Sequence, residues 1–288
     1  MKNSCASVHR RHFLKAGLLG SIALGAARST SRLMAEVTKP QRPLYDGLKL
    51  GMASYTFRKF TLEQAIEMSK QAGAVSISLK DVHLPMKSTS AERQEARQKV
   101  EAAGLYLASG GVIGMKNNEE EIRNAFEYAK DAGMPTIVCS PEPEALDSVE
   151  KMVKEYNIRI AIHNHGPGDK KFPSPSDVWR LVKDRDERMG LCIDVGHTVR
   201  IGVDPVDAIG RCARRLYDFH IKDETEATPK GKPVPVGRGV IDIVGVLKAL
   251  KEINYGYNIG LEYEEKENDP MPGVVESFGF MRGVLAAI

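Results

Sequence analysis

The sequence has little of what marks disulfide-bonded, membrane-spanning or nucleotide-binding proteins. Its 288 residues include four cysteines, of which three lie beyond the N-terminal 35 residues, an odd number without the spacing of a disulfide framework. The apolar run at 16–27 is about 12 residues long, too short to cross a bilayer as a helix. No strand-to-helix junction carries a G-x-x-x-x-G-K-[ST] or G-x-G-x-x-G phosphate-binding pattern. These absences exclude a small disulfide scaffold, a mature chain inserted in a membrane and a typical dinucleotide-binding sheet.

The N-terminal segment at 1–35 has the pattern of an export signal. Arg10 and Arg11 open the stretch RRHFLKAG, and the apolar run follows. A paired arginine followed by Phe-Leu and a lysine is typical of twin-arginine signals, which predicts a periplasmic protein. Cleavage after Ala27 or Ala35 is expected, with a linker at 36–46 and one domain at 47–288. The alternative is a disordered, amphipathic N-terminus.

The excess positive charge of the chain belongs to this segment. Residues 1–35 hold six of the 41 Lys/Arg and none of the 38 Asp/Glu, which leaves 35 basic and 38 acidic residues beyond it. The mature chain therefore has a net charge of −3. A mildly acidic domain argues against nucleic acid as a partner, because phosphate backbones are bound through Lys and Arg.

Beyond the linker, short apolar runs alternate with helical segments. The eight runs are LKLGMASY, AVSISL, LYLASGGVIG, PTIVCS, IRIAIHNH, GLCIDVGH, YDFHIKD and YNIGLEYE. Helix-start signals lie between them, such as Thr61 with Gln64 and Ser174 before Pro175. Eight strand–helix units in roughly 240 residues predict an α/β fold, the (β/α)₈ TIM barrel.

Five histidines follow the N-terminal segment, and each is predicted to lie at the carboxyl end of a strand. They are His83, His163, His165, His197 and His220. In a barrel these strand ends converge on one rim, where active sites form. Four successive strands also end in a His, Asp or Glu. Nitrogen and carboxylate ligands together predict a site for one divalent metal, such as Mn, Co, Zn, Fe or Mg.

The motifs IDVGH, FHIKD, VGRGVIDI and LEYE resemble the xylose isomerase-like TIM-barrel superfamily of sugar isomerases and epimerases. The resemblance covers the chain from Leu48 to its end. It implies a single metal held by Asp194, His220 and Glu262, with a fourth ligand on the fifth strand. The epimerases have a glutamate there, which is one of their two bases, whereas this chain has His163. A histidine at this position is similar to inosose dehydratase-like members.

The resemblance and the strand-end positions assign an expected role to each rim residue. Glu262 is the expected base as well as a ligand, since it matches the family residue with both functions. His163 is a fourth ligand or a general base. His197 and His165 are expected to relay protons or to donate hydrogen bonds to substrate hydroxyls. The alternative for His197 is that it only orients Asp194.

A further set of residues is expected to contact the substrate. The candidates are Lys80, His83, His165, Lys222 and Arg238. For Lys222 the alternative is an ion pair with Asp223 or Glu224, and for Arg238 it is a brace within the loop at 224–239. This loop is long for a strand-to-helix connection, which is typical of a lid.

The expected chemistry is proton removal from a carbon next to a carbonyl, because a metal on the substrate oxygens would stabilise the resulting enediolate. The sequence therefore predicts a metal-dependent isomerase or epimerase acting on a small carbohydrate. The histidine on the fifth strand keeps a lyase of a keto-cyclitol or keto-sugar open. Two other classes are an endonuclease-like phosphodiesterase and a non-catalytic sugar-binding barrel. A homo-oligomer is compatible with the sequence.

Overall fold

The computed structural model describes Tyr45 and residues 47–288, and it confirms the predicted barrel. Eight parallel strands close into a ring in sequence order, and the last strand pairs with the first. The barrel strands are β1 Lys49–Ala53, β2 Ser76–Leu79, β3 Tyr106–Met115, β4 Thr136–Pro141, β5 Arg159–His163, β6 Met189–Asp194, β7 Leu216–Ile221 and β8 Asn258–Leu261. The predicted export signal and nearly all of the linker lie outside the described residues.

Helices alternate with the strands and form the outer layer. They are α1 Leu62–Ala72, α2 Ser90–Ala102, α3 Glu119–Asp131, α4 Leu146–Tyr156, α5 Pro175–Val182, α6 Val195–Val199, α7 Pro205–Cys212, α8 Ile243–Glu252 and α9 Met271–Ala287. The short α6 is inserted between β6 and α7. Within the described part of the chain, no helix combines the length and the apolar character that a membrane crossing requires.

The helices begin where local signals in the sequence predict. Thr61 and Gln64 form a capping box at the start of α1, and Ser174 and Asp177 form one at the start of α5. In each box the two side chains satisfy backbone amides that the helix itself leaves unpaired. Gly73 ends α1 with φ of 93°, a left-handed conformation that glycine adopts without steric cost.

Side-chain alternation along the strands brings the candidate ligands to the inside of the barrel. Val138, Ala161 and Cys192 form a small buried cluster, separate from the large apolar layer between strands and helices. Successive inward positions on one strand are two residues apart. Ala161 is therefore followed inward by His163 on β5, and Cys192 by Asp194 on β6.

A short antiparallel ribbon orders the connection after β7. Asp223–Glu224 pairs with Pro233–Val234 and closes the loop at 225–232. The Asp223 carboxylate accepts three backbone N–H groups from residues 237–241, at 2.8–3.1 Å. The long connection was predicted, whereas this ribbon was not.

Candidate active site

Four predicted ligands meet at the carboxyl end of the barrel. They are His163 of β5, Asp194 of β6, His220 of β7 and Glu262, which directly follows β8. All four are buried, and one ligand atom of each lies within 4.8 Å of the others. His163 Nε2 is 2.9 Å from His220 Nδ1 and 3.4 Å from Asp194 Oδ2. His220 Nδ1 is 3.3 Å from Glu262 Oε2. We refer to these four residues as the ligand cluster.

Local hydrogen bonds fix the orientation of Asp194. Its Oδ1 accepts the backbone N–H of His197 at 2.9 Å and thereby caps α6. Its own backbone N–H donates to Asn164 Oδ1 at 3.1 Å, and its carbonyl accepts the Thr198 hydroxyl at 2.6 Å. The other carboxylate oxygen, Oδ2, is buried, makes no hydrogen bond and lies toward His163. One oxygen therefore holds the side chain in place, and the other faces the cationic groups of the site, including the Lys222 ammonium at 3.0 Å.

Two buried lysines balance the charge of the carboxylates. Lys222 Nζ lies 3.0 Å from Asp194 Oδ2 and 3.0 Å from Glu262 Oε2. Lys80 Nζ lies 3.1 Å from Glu262 Oε1. These side chains are at most 8% exposed, so water screens the ion pairs far less than it screens pairs at a surface. The structure thus brings both predicted substrate-binding lysines to the ligand cluster.

Burial and charge set the protonation states of the cluster. Burial alone raises the pKa of Asp194 and of Glu262, but Lys222 and the neighbouring histidines, joined by Lys80 at Glu262, together outweigh it and hold both values well below their usual range. Burial lowers the pKa of His163 well below its usual value. For His220 burial acts in the same direction, but Cys192, Glu262 and Asp194 together outweigh it and raise its pKa. At neutral pH the cluster contains two ionised carboxylates and a neutral His163.

The residues present fit a divalent metal. Two imidazoles and two carboxylates supply the nitrogen and oxygen donors that Mn, Co, Zn or Fe prefer. Asp194 Oδ2 makes no hydrogen bond and is compensated by the Lys222 ammonium at 3.0 Å, so this buried oxygen already lies where a positive charge is bound. A second set of candidate ligands combines His163 and His220 with Cys192. Burial raises the pKa of the Cys192 thiol to about 11, and because thiolates rather than thiols bind metals, the carboxylate set is the better one.

Two further histidines line the site beside His163. The ring of His165 lies 4.4 Å from that of His163, and the ring of His197 lies 5.6 Å from that of His165. His197 does not end a strand as predicted, because Asp194 ends β6 and caps α6, which contains His197. Burial lowers the pKa of His197 to about 4 and also lowers that of His165. Both rings are therefore neutral near pH 7 and can donate and accept hydrogen bonds.

His83 is joined to Lys80 through a residue that the sequence did not indicate. The backbone N–H of Lys80 donates to Ser54 Oγ at 2.8 Å, and His83 Nδ1 lies 2.9 Å from the same oxygen. His83 Nε2 is buried without a hydrogen-bond partner. His83 lies in the turn after β2 rather than at the strand end. Ser54 follows β1 directly, and a lone serine there carries no motif that could have identified it.

Arg238 is not brought to the ligand cluster. Its side chain is 66% exposed and pairs with Glu276 of α9. The backbone N–H groups of Gly237 and Gly239, on either side of it, both donate to Asp223 Oδ2. These bonds direct the intervening arginine outward, so it braces the loop, which is the alternative that the sequence left open.

Two glutamates near the site were absent from the predicted set. Glu264 Oε1 lies 3.8 Å from Lys222 Nζ, and Glu224 is buried with its Oε2 unpaired. Each stands two residues beyond a predicted site residue, Glu262 or Lys222. The alternation of side chains along extended backbone could have identified both.

Comparison with known proteins gives a family and partial relatives. A family model described as xylose isomerase-like TIM barrel matches residues 66–284. The rhizopine catabolism protein MocC of Rhizobium meliloti is 28% identical over 141 residues, 44% of this chain and 42% of its own length. Inosose dehydratase of Clostridium botulinum is 29% identical over 143 residues, 43% of this chain and 46% of its own length. The matches thus span less than half the length of these curated relatives.

Solved structures share the fold over most of the chain. A 3-keto-D-glucoside 4-epimerase from E. coli has a TM-score of 0.67 at 15% identity, covering 82% of this chain and 99% of its own. A D-allulose 3-epimerase from Methylomonas sp. has a TM-score of 0.67 at 14% identity, covering 82% and 98%. At such low identity these similarities concern the fold alone.

Proposed function

The chain belongs to the xylose isomerase-like TIM barrel family, and we propose that it is a metal-dependent enzyme that isomerises or epimerises a sugar or keto-sugar. The observation that carries this proposal is the ligand cluster, whose four side chains offer donor atoms within 4.8 Å of one another. Asp194, His220 and Glu262 would hold the metal, with His163 as the fourth ligand. Mn, Co, Zn, Fe and Mg are all compatible with the donor set.

The reaction begins with removal of a proton from a carbon next to a carbonyl. Glu262 is the base, since its pKa is held low and it is therefore ionised at neutral pH. The metal, when bound, supplies Lewis-acid stabilisation to the substrate oxygens. Lys80 and Lys222 add two positive charges at the position where negative charge develops on the substrate. His165 and His197, both neutral, orient the hydroxyl groups.

A second candidate is a lyase that removes water from a keto-cyclitol or keto-sugar. His163 favours it, because an enzyme that inverts a carbon with two carboxylate bases needs a second carboxylate at this position. A neutral imidazole, with its pKa lowered by burial, suits a ligand or a single proton transfer. The similarity to a protein named inosose dehydratase over 43% of this chain is in line with this alternative.

Phosphodiester cleavage and silent sugar binding are less well supported. The two sets of candidate metal ligands among the described residues share His163 and His220. They therefore offer a single metal position, whereas the DNA-repair endonucleases of the superfamily that the sequence resembles hold three zinc ions. A silent barrel has no need of a complete ligand set buried beside two lysines.

The test is a substrate screen followed by NMR. Purified protein supplied with Mn²⁺ or Co²⁺ is incubated in D₂O with inosose, 3-ketoglucosides and ketohexoses. An isomerase or epimerase is expected to incorporate deuterium next to the carbonyl and to give a product in which one carbon is inverted or the carbonyl has moved. The lyase is expected to give a dehydrated enone. Asp194→Ala serves as the control, and equal activity in that variant, or no exchange with any substrate class, contradicts the proposal.

A further inference from the structure

The segment that follows β7 presents three functional side chains to the same side. His220, Lys222 and Glu224 alternate along nearly extended backbone, so they point the same way. Asp223 points the opposite way and accepts the backbone N–H groups of Gly237, Gly239 and Ile241. Because these bonds fix the backbone, Glu224 cannot turn away from the side that carries His220 and Lys222.

Glu224 packs beside the stem of Lys222, the lysine that pairs with two residues of the ligand cluster. A Cβ atom built on Gly196 would lie 2.5 Å from Lys222 Cδ and 2.7 Å from Glu224 Oε1. The Glu224 carboxyl and the Lys222 stem therefore pack against the same glycine. The ammonium of that lysine reaches Asp194 and Glu262 at 3.0 Å. A substrate oxygen bound beside Lys222 would lie within reach of Glu224.

The second oxygen of Glu224 lies beneath the loop at 225–232. Its Oε2 would be 3.3 Å from a Cβ on Gly231, and Arg200 Cγ would be 3.2 Å from the same position. Glu224 is 1% exposed, and neither its Oε2 nor the neighbouring Arg200 Nε has a hydrogen-bond partner. A carboxylate buried without hydrogen bonds is costly, which favours the protonated form.

The surrounding charges leave Glu224 able to gain and lose a proton near neutral pH. Burial raises its pKa to about 7, Lys222 and Arg200 lower it, and Asp194 and Glu264 raise it. Glu262, by contrast, is held ionised by its lysines. Two carboxyls on one rim, one held ionised and one that titrates near neutral pH, are the arrangement that acid–base enzymes use to assign a base and an acid.

We propose that Glu224 is the acid of this site, which returns a proton to the substrate after Glu262 has removed one. It thereby supplies the second carboxyl that the chain lacks on β5; this inference rests on the proposed function. In the first step the C–H bond breaks, its proton passes to the base, and the electron pair enters the enediolate. In the second step the Glu224 O–H bond breaks.

The destination of that proton depends on the reaction. In isomerisation or epimerisation it forms a new C–H bond with the enediolate electron pair. In dehydration it goes to the departing hydroxyl, whose C–O bond breaks with both electrons, so that water leaves and a C=C bond forms. Glu224 is left as a carboxylate, which the nearby Arg200 and Lys222 stabilise until solvent reprotonates it.

Glu224→Gln separates the two proton transfers, because glutamine keeps the shape and cannot act as an acid. In metal-loaded protein with inosose or a 3-ketoglucoside in D₂O, the variant is expected to keep substrate C–H exchange within about threefold of the parent. Product formation is expected to fall by about 100-fold or more. Glu226→Gln, an exposed glutamate on the same loop, is the control and should behave like the parent. Product formation within threefold of the parent, or an equal loss of exchange and product, overturns the inference.

A direct titration keeps this test independent of turnover. In protein labelled with ¹³C at glutamate carboxyls and loaded with Zn²⁺, the resonance that Glu224→Gln removes should titrate near pH 7. If the Glu224 resonance titrates at the usual pKa of a glutamate, the inference is overturned, even where the protein turns over no sugar. If the Glu224 carboxyl titrates near pH 7 but the parent protein exchanges no substrate C–H, the proposed function is contradicted and the inference about Glu224 is not.

Discussion

The Lys222 ammonium and the Glu262 carboxylate face each other across 3.0 Å inside the rim, with side chains 2% and 7% exposed. Lys222 lies at the same distance from Asp194. It therefore occupies a cationic position between two proposed metal ligands. A fixed positive charge and a metal ion compete for the same two carboxylates.

Lys222→Met should tighten metal binding. The Lys222 ammonium repels a bound metal ion, and two unit charges about 4 Å apart at an effective dielectric constant near 20 interact by about 4 kcal/mol. Even partial loss of this repulsion predicts a metal affinity that is higher by about tenfold or more. Calorimetric titration of metal-free protein with Mn²⁺ or Co²⁺ measures it. Lys248→Met, on the exposed face of α8, should leave the affinity unchanged. Weaker binding in Lys222→Met would mean that the lysine orients the carboxylates rather than competing for them.

Asp194→Ala and His220→Ala should each remove bound metal. Both residues belong to the ligand cluster, and loss of one donor weakens metal binding, all the more because Lys222 still competes for the remaining carboxylates. Elemental analysis after gel filtration is the measurement. Asp207→Ala, an exposed carboxylate on α7, is the matched control. Full metal content in both cluster variants would refute the metal assignment.

Gly196→Ala should disturb the site as well as the fold. Its new methyl group would lie 2.5–2.7 Å from Lys222 and Glu224, and such overpacking costs about 1–3 kcal/mol. Gly210→Ala provides the contrast, since it lies in α7 with no neighbouring atom within 4 Å, and alanine is favoured in helices by about 0.5–1 kcal/mol. Urea unfolding of both variants gives the comparison. Equal stability of the two would show that the packing at Gly196 is loose.

Stability should fall with acidity through the buried histidines. The pKa of His197 is about 4 in the folded protein, against an ordinary value of 6.5. Between these values the unfolded chain binds a proton that the folded chain does not, so stability rises with pH across this window and is lost as pH falls from 6.5 to 4. Its contribution is at most about 3 kcal/mol. Urea unfolding of metal-free protein at pH 7.5 and 4.5 should show a smaller difference in His197→Asn. The same difference in both proteins would exclude His197 as the source.

Export remains a prediction from the N-terminal sequence. Replacement of Arg10 and Arg11 by lysine should retain the protein in the cytoplasm, because the paired arginine is the feature that the pathway reads. Cell fractionation and immunoblotting measure the distribution. Lys2→Arg should not change it. Periplasmic recovery of the double variant would contradict a twin-arginine signal.

The barrel could be predicted because each of its elements carries a local signal. The run GLCIDVGH predicts β6, and Ser174 with Pro175 predicts the start of α5. The ligand cluster could be predicted because strand ends share one rim whatever their detailed packing. The rings of His163 and His165 also lie together as expected, although β5 ends at His163 and His165 lies in the loop that follows it.

The remaining contacts depend on parts of the chain that are distant in sequence. Lys80 reaches Glu262 only because the ring closes through β1. Arg238 turns outward because Asp223, far upstream, binds the backbone on both sides of it. His197 is the exception, because its position depends on a local cap: the Asp194 side chain accepts the His197 backbone N–H and starts a helix where a continued strand was predicted. The positions of Lys80 and Arg238 follow from contacts between distant residues, which a short sequence window does not contain.

The ribbon after β7 also has an evolutionary consequence. Pairing of Asp223–Glu224 with Pro233–Val234 separates the segment at 225–232 mechanically from the scaffold that carries His220 and Lys222. Insertions or exchanges within that segment need not shift His220 and Lys222, but they would change the cover that Gly231 provides over Glu224. Loops transplanted from related barrels between these two anchor points would therefore alter the surroundings of Glu224 while the ligand cluster is kept.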